Sequence, residues 1–123
     1  MKELESKLQR RCQKILRENG VFVFKTHGDI YARVGLPDHV ACIPIDIDTL
    51  QKMINEKWFK DNKIGVFLGL EIKRENQLND VSDAQKVVGK EITNAGGLWY
   101  AIDDSDIVEA IIEYVNGNIQ NEQ

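Results

Sequence analysis

The stretch GVFLGLEIKRE, residues 65–75, is the most apolar part of the sequence and yet it ends in charge. Side chains alternate along a β-strand, so Gly69, Glu71 and Lys73 share one face and the apolar residues at even positions share the other. We expect the apolar face to pack and the charged pair to remain together, roughly 7 Å apart at Cβ. Gly69 leaves space beside the pair. We therefore predict a central strand over 64–73.

The rest of the chain predicts an α/β domain in the order helix, strand, strand, helix, strand, helix, strand, helix. The expected strands are 21–25, 39–43, 64–73 and 98–102; helix one spans about 2–19 before Gly20, and the later helices are capped by Asp48 or Thr49, by Ser82, and by Ser105 or Asp106. The strand–helix–strand unit over 64–102 implies a right-handed crossover, so part of the sheet is parallel. We expect a central mixed four-stranded sheet flanked by helices.

Length and composition fit one domain over 1–117, with 44–63 as a helical insertion and 118–123 as a frayed tail. The 123 residues are 42% hydrophobic, and no run is apolar enough for a membrane span or a signal peptide, so we expect a cytoplasmic protein. Cys12 and Cys42 follow apolar patterns and lack metal-site spacing, which predicts two buried, reduced thiols.

A second carboxylate precedes the strand over 39–43. If that strand pairs with the end of 64–73, Asp38 comes to lie beside Glu71. Two such carboxylates repel unless a cation separates them, and all-oxygen ligation suits Mg²⁺ or Mn²⁺, with the Ile72 carbonyl as a third ligand. Lys73 would hold a water or a phosphate oxygen. Each motif alone also has a structural explanation. Pro-Asp is a common turn dipeptide, and charged residues on a strand can protect the edge of a sheet from aggregation.

Three motifs in order, GLPD (35–38), GLEIKRE (69–75) and VSDAQ (81–85), resemble the PD-(D/E)xK nuclease superfamily and within it the VRR-NUC family of small phage and repair nucleases. The resemblance implies a restriction-endonuclease-like core and a Mg²⁺-dependent endonuclease that leaves 5′-phosphate and 3′-hydroxyl ends. It implies branched DNA, such as a Holliday junction, as substrate, a homodimer, and a phage or prophage source with a bacterial cytoplasm as location. Carried over by motif, the implied catalytic residues are Glu5, Asp38, Glu71, Lys73 and Gln85.

Some of these residues have structural alternatives. Glu5 suits the first turn of a helix as a solvated charge, and Glu3 is an alternative for the helix-one carboxylate. Ser82 to Gln85 also reads as a capping box. His39 follows Asp38 and points to the opposite face, which favours a structural role.

Residues near the site could contact DNA, although loop polarity explains them nearly as well. They are Lys25, His27, Tyr31, Arg33 and Arg74. The net charge of −4 argues mildly against nucleic acid, but carboxylates neutralised by a metal leave the local field positive. The aromatic residues Trp58, Phe59 and Trp99 fit a core or an oligomer contact better than a DNA platform.

Two other functions remain open. The first is a catalytically silent module that recognises DNA structure or a protein partner. The second is an exonuclease or restriction-type nuclease with the same site, which free-end degradation would distinguish. The sequence leaves the preferred DNA structure and the number of metal ions undecided.

Overall fold

The computed structural model describes residues 2–26 and 33–117, which form a mixed α/β arrangement in the predicted order of helices and strands. The helices are α1 (Lys2–Glu18), α2 (Ile47–Asn55), α3 (Asp83–Asn94) and α4 (Ser105–Val115), and the strands are β1 (Phe22–Lys25), β2 (His39–Cys42), β3 (Leu68–Ile72) and β4 (Leu98–Ile102). Short 3₁₀ turns occur at Lys60–Asn62 and Leu78–Asp80. The predicted tail 118–123 lies outside the described residues.

The strands form two sheets of two strands each. β1 and β2 are antiparallel, with Phe22 opposite Cys42, whereas β3 and β4 are parallel, with Leu68 opposite Leu98. The prediction of one four-stranded sheet is therefore wrong for the described residues. The hairpin meets the second sheet through side chains, because the Phe22 and Phe67 rings lie 5.9 Å apart, and no backbone ladder joins β2 to β3 in the part of the chain described here.

The β3–α3–β4 unit is the best-packed part of the molecule. A Cβ atom on Gly89 of α3 would lie 2.5 Å from Trp99 Cδ2, so the indole ring packs directly on the helix backbone. A Cβ atom on Gly69 would lie 3.0 Å from Ile92 Cδ1. The space that Gly69 leaves is therefore filled by α3 and Trp99. This close packing confirms the predicted parallel pair and its covering helix.

The structure buries a small set of apolar side chains: Val21, Val23, Cys42, Val81, Ile92, Ala95, Ile102 and Ile111. Helix α1 contributes none of them. Its apolar stripe, including Leu4 and Leu8, is exposed, and so is Cys12, whose predicted burial is wrong. The half-buried residues of α1 are Gln9, Gln13 and Leu16. The spacing of apolar residues predicted helix α1 correctly, but it does not reveal which face of the helix meets the strands.

Two helix starts differ from the predicted positions. Asp46 is the residue that precedes α2, and it stands two residues before Asp48 and three before Thr49. Leu50 and Met53, which were expected to be buried in this helix, are only half-buried. Asp104 caps α4, its carboxylate accepting from the Asp106 backbone N–H. Several aspartates stand close together at both points, so sequence alone does not select among them.

Ser82 caps α3 as predicted. Helix α1 ends before Gly20, which has a φ of +75° as a residue past a helix C-terminus often does.

Among the described residues, no helix combines the length and the apolarity that crossing a membrane requires.

Candidate active site

Glu71 and Lys73 lie together near the end of β3. Lys73 Nζ is 3.8 Å from Glu71 Oε2, and their side chains are 30% exposed for Glu71 and 20% for Lys73. The same strand face carries Phe67 and Gly69, which contact β1 and α3. Glu71 and Lys73 therefore lie on the inward face of this strand segment, at the end where its side chains become partly exposed to solvent.

The opposite face of this segment does not pack as expected. Ile72 is 68% exposed and Val66 is 48% exposed, whereas Leu68 and Leu70 are half-buried. The expectation that the apolar face as a whole is buried is wrong at both of its ends. Apolarity alone does not fix burial, because the described elements cover only the middle of the strand on this side.

Asp38 is exposed and stands directly before β2. Its backbone is well fixed: Thr26 N–H donates to the Asp38 carbonyl at 2.9 Å, and Thr26 Oγ1 donates to the Pro37 carbonyl at 2.7 Å. These bonds extend the β1–β2 ladder by one residue and hold the Pro37–Asp38 peptide at its end. The carboxylate is thus carried on a rigid support at the end of the hairpin.

The hairpin and β3 start from a common point. Phe22 packs on Phe67, and the Cys42 thiol donates to the Ala95 carbonyl at 3.5 Å. Asp38 is four residues from Cys42, and Glu71 is four residues from Phe67, which is about 13 Å along each strand. Successive residues of β1 and β3 line the same cavity.

The cavity between the hairpin and the β3–α3 layer has a volume of about 900 Å³. Glu71 lines it together with Phe24, Val88 and Trp99, and Arg17 and Glu91 also contribute to its walls. It is largely apolar with charged groups at its margin. It keeps β3 accessible from the side on which the hairpin lies.

Asp38, directly before β2, and Glu71, in β3, belong to two separate two-stranded sheets. Within 2–26 and 33–117, no three His, Cys, Asp or Glu side chains are grouped closely enough to hold a metal ion. The predicted pairing of 39–43 with 64–73, which would join the two carboxylates, is absent from the described ladders. The backbone ladder of the hairpin joins β1 to β2, and its side chains meet the rest of the molecule where Phe22 packs on Phe67 and the Cys42 thiol bonds to Ala95.

The backbone of β3 nevertheless offers the third oxygen. Lys73 N–H donates to the Ile102 carbonyl and Leu98 N–H donates to the Phe67 carbonyl, both at 2.9 Å. In a parallel ladder, successive residues direct their backbone groups to alternate sides. The Ile72 carbonyl therefore points away from β4. Two carboxylates and this carbonyl are a donor set that suits a hard divalent cation.

Glu5 is connected to the hairpin through a short chain of side chains. Gln9 Nε2 donates to Glu5 Oε1 at 3.5 Å, and Lys25 Nζ donates to Gln9 Oε1 at 3.2 Å. Lys25 is the ladder partner of His39. Glu5 thus lies on the side of α1 that approaches the Asp38 end of the hairpin, although it is exposed. The side chain of Glu3 lies outside the described residues.

His39 and Gln85 both have structural partners. A 2.7 Å hydrogen bond joins His39 Nε2 to Gln13 Nε2, which ties β2 to α1. Gln85 closes a complete capping box: Ser82 N–H donates to Gln85 Oε1 at 2.8 Å, and Gln85 N–H donates to Ser82 Oγ at 3.1 Å. The capping role predicted for Gln85 is confirmed, and its amide oxygen is engaged there.

The candidate DNA contacts are only partly described. Lys25, Arg33 and Arg74 are exposed, and Lys25 is held by Gln9. His27 and Tyr31 lie outside the described residues.

One residue that the sequence did not single out supports the site. Asp103 follows β4, and its Oδ2 accepts from the Asn76 backbone N–H at 2.9 Å. This bond fixes the turn that follows Lys73, where Asn76 has a φ of +62°. The parallel register puts Asp103 one step beyond the Ile72–Ile102 pair. An aspartate at the end of a predicted strand can be recognised in the sequence as a candidate site residue. That Asp103 bonds to the turn at Asn76 is known only from the folded structure.

No protein-family model matches the chain, and neither the curated proteins nor the solved structures compared with it gave a match.

Proposed function

We propose that this protein is a Mg²⁺- or Mn²⁺-dependent DNA endonuclease of the PD-(D/E)xK type, and that it belongs to the VRR-NUC family its motifs resemble. The observation that carries the proposal is the half-buried Glu71–Lys73 pair at the end of β3, on the strand face that also carries Phe67 and Gly69. An acid and a lysine on one inward strand face have no packing role there, which supports a chemical one.

The restriction-endonuclease-like core is part of this proposal. An antiparallel hairpin after one helix, followed by a parallel β3–β4 pair with a covering helix, supports that architecture. The Phe22–Phe67 contact already aligns the two halves at one end.

The metal ligands would be Asp38, Glu71 and the Ile72 carbonyl. A bound Mg²⁺ or Mn²⁺ would supply a water of lowered pKa and would neutralise charge on the scissile phosphate. Lys73 donates from its ammonium group to that water or to a phosphate oxygen, and so stabilises the charge that develops during in-line attack. Glu71 holds Lys73 in place through their ion pair. Glu5 and Gln85 complete the proposed set from the two flanking helices.

An uneven charge distribution supports DNA as the partner in spite of the net charge of −4. Residues 6–17 of α1 contain no acid and five cations, all exposed: Lys7, Arg10, Arg11, Lys14 and Arg17. At 100° per residue these five lie within an arc of about 120° over a length of about 15 Å. Gln13, which neighbours this arc, bonds to His39 on the hairpin. A phosphate backbone bound along α1 would therefore pass close to Asp38.

The substrate that we propose is branched DNA of the Holliday-junction kind, with cleavage leaving 5′-phosphate and 3′-hydroxyl ends. One specific observation favours a second candidate, the catalytically silent binding module. The described strand ladders do not pair β2, which follows Asp38, with β3, which holds Glu71, and Gln85 is engaged in its capping box. In this candidate the basic face of α1 still binds DNA.

The test is cleavage of end-labelled four-way junction, duplex and single-stranded DNA in Mg²⁺, Mn²⁺ and EDTA. Metal-dependent cuts near the branch point support the proposal. Progressive shortening from free ends identifies the exonuclease alternative. Binding to the junction without cleavage in any metal supports the silent module and contradicts the proposal.

A further inference from the structure

The cavity between the hairpin and the β3–α3 layer has the size and the lining of a ligand site. Its volume of about 900 Å³ lies within the range of about 300–1,000 Å³ that is common for such sites. Most of its walls are apolar, and among them stand three side chains that can form hydrogen bonds, Arg17, Glu91 and Asn94. An apolar lining with a few polar groups binds a ligand and fixes its orientation.

Two aromatic side chains from different strands line this cavity. Phe24 on β1 is 42% exposed, so its ring is open to solvent. Trp99 on β4 is half-buried, and its indole ring is held against α3 at Gly89. Aromatic rings are the side chains on which nucleobases stack, because every base has a π-face. The walls therefore suit a flat, aromatic ligand.

Glu71, a metal ligand in the proposed function, lines the same cavity. On α3, Ile92 lies at the level of Gly69, and the helix runs antiparallel to β3 because it connects two parallel strands. Val88, one turn before Ile92, therefore lies closer to the level of Glu71, and it is 40% exposed. A nucleotide whose phosphate is bound at Glu71 is separated from its base only by the sugar. The base is therefore within reach of the cavity.

Charge connects the cavity with the basic face of α1. Arg17, the last of the five exposed cations on that face, belongs to the cavity wall. It also borders a surface depression of α1, together with Arg10, Gln13 and Lys14. A phosphate backbone bound along α1 is thus led to the cavity. These cations favour a segment of DNA as the occupant over an apolar peptide, which carries no charge to pair with them.

We propose that this cavity binds an unpaired nucleobase of the DNA, with the base beside the ring of Phe24 and its polar edge toward Glu91 and Asn94. The inference rests on the proposed function, which places the phosphate at Glu71. An unpaired base costs the least energy to move out of the base stack. Stacking on an aromatic ring is also tolerant of base identity. The cavity thus selects the structure of the DNA and not its sequence.

The test compares two end-labelled DNA duplexes that differ at one position. One carries a single bulged adenine, and the other carries an abasic sugar at the same place. Fluorescence anisotropy in EDTA measures the affinity for each duplex without cleavage. We expect the unmutated protein to bind the bulged adenine about tenfold more tightly than the abasic duplex, because the base adds one aromatic stack. Equal affinity for the two duplexes overturns the proposal.

Variants locate the preference in the cavity. Val88→Trp fills part of the cavity and is expected to remove the tenfold preference. Val87→Trp is the matched control, because Val87 is 59% exposed on the same helix and lies outside the cavity wall, and it keeps the preference. Phe24→Leu stays apolar but loses the ring, so the preference falls, whereas Phe24→Tyr retains it. Circular dichroism of each variant establishes that the fold is retained.

A preference that survives both Val88→Trp and Phe24→Leu overturns the proposal, and so does one that Val87→Trp removes equally well. Cleavage of the same two duplexes in Mg²⁺ separates this site from the nuclease activity. Cleavage without any preference for the bulged base supports the nuclease and contradicts the nucleobase site. A preference without cleavage in any metal supports the nucleobase site and contradicts the nuclease.

Discussion

Glu71 in β3 and Lys73 directly after the strand form an ion pair of 3.8 Å, and Glu71 also lines the cavity beside the hairpin. Both side chains remain partly solvated, so this pair contributes little to the stability of the fold. Its value is positional, because the carboxylate holds the ammonium group on the inward face of the strand.

Mg²⁺ is expected to stabilise the protein against unfolding through Asp38 and Glu71. At ten times the dissociation constant, binding to the folded state alone adds about 1.4 kcal/mol, which raises the melting temperature by several degrees. Asp38→Asn removes a ligand without removing any described side-chain contact and is expected to abolish the shift. Asp80→Asn, at another exposed aspartate, is the control and keeps it. Equal shifts in both variants would show that the ion binds elsewhere, and calorimetric melting curves measure the difference.

The capping box of α3 makes Ser82 and Gln85 structural residues. Ser82→Ala leaves the Gln85 N–H without its acceptor and is expected to lower the free energy of unfolding by about 1 kcal/mol. Gln85→Ala loses only the reciprocal bond and should cost less. Urea unfolding measures both values. If Gln85 also acts in cleavage, Gln85→Ala lowers the cleavage rate more than Ser82→Ala does, despite its smaller effect on stability. If Ser82→Ala lowers the cleavage rate more than Gln85→Ala does, Gln85 acts only as a capping residue.

The contact between Gly89 and Trp99 predicts a destabilised Gly89→Ala variant. The added methyl group would meet the indole ring at 2.5–2.8 Å, and such overpacking costs about 1–3 kcal/mol, more than alanine gains in helix propensity. Gly65→Ala is the matched control, since a Cβ atom there meets nothing within 4 Å. Urea midpoints that agree for the two variants would contradict the packing described for β3, α3 and β4.

The two cysteines are expected to differ in reactivity. Cys12 is exposed, whereas burial raises the pKa of the Cys42 thiol above its ordinary value. Iodoacetamide at neutral pH should therefore alkylate Cys12 first, as peptide mass mapping over time would reveal. Because the pKa of Cys42 is raised in the folded state, the stability it contributes is complete below the ordinary thiol pKa and declines as pH rises through the folded-state value. Faster labelling of Cys42 would contradict its burial.

The sequence predicted the type and order of all eight main elements because each has a local signal. The periodic spacing of apolar residues predicted the helices, Ser82 marked the start of α3, and Gly20 marked the end of α1. The parallel pairing of β3 and β4 followed from the strand–helix–strand order, which implies a right-handed crossover. These features depend on neighbouring residues, and they are the features that local patterns predict well.

Long-range contacts were predicted less well. The apolar stripe of α1 indicated burial at Cys12, yet α1 meets the hairpin through Gln9 and Gln13. The pairing of 39–43 with 64–73 was expected, yet the described strands form separate pairs. Which face of a helix is covered, and which edge of a strand is paired, depend on distant residues. Asp103 was overlooked for the same reason, since its relation to the turn after Lys73 exists only in the folded chain.

The central claim is that Lys73 acts in metal-dependent phosphodiester hydrolysis, and cleavage of a labelled four-way junction in Mg²⁺ by Lys73→Ala tests it most directly. Lys90→Ala serves as the control because Lys90 is exposed on α3, and junction binding measured in EDTA accompanies each variant. We predict that Lys73→Ala binds the junction as the unmutated protein does but cuts it at least about a hundredfold more slowly, while Lys90→Ala cuts normally. Equal cleavage by Lys73→Ala and the unmutated protein, or cleavage that persists in EDTA, would contradict the account.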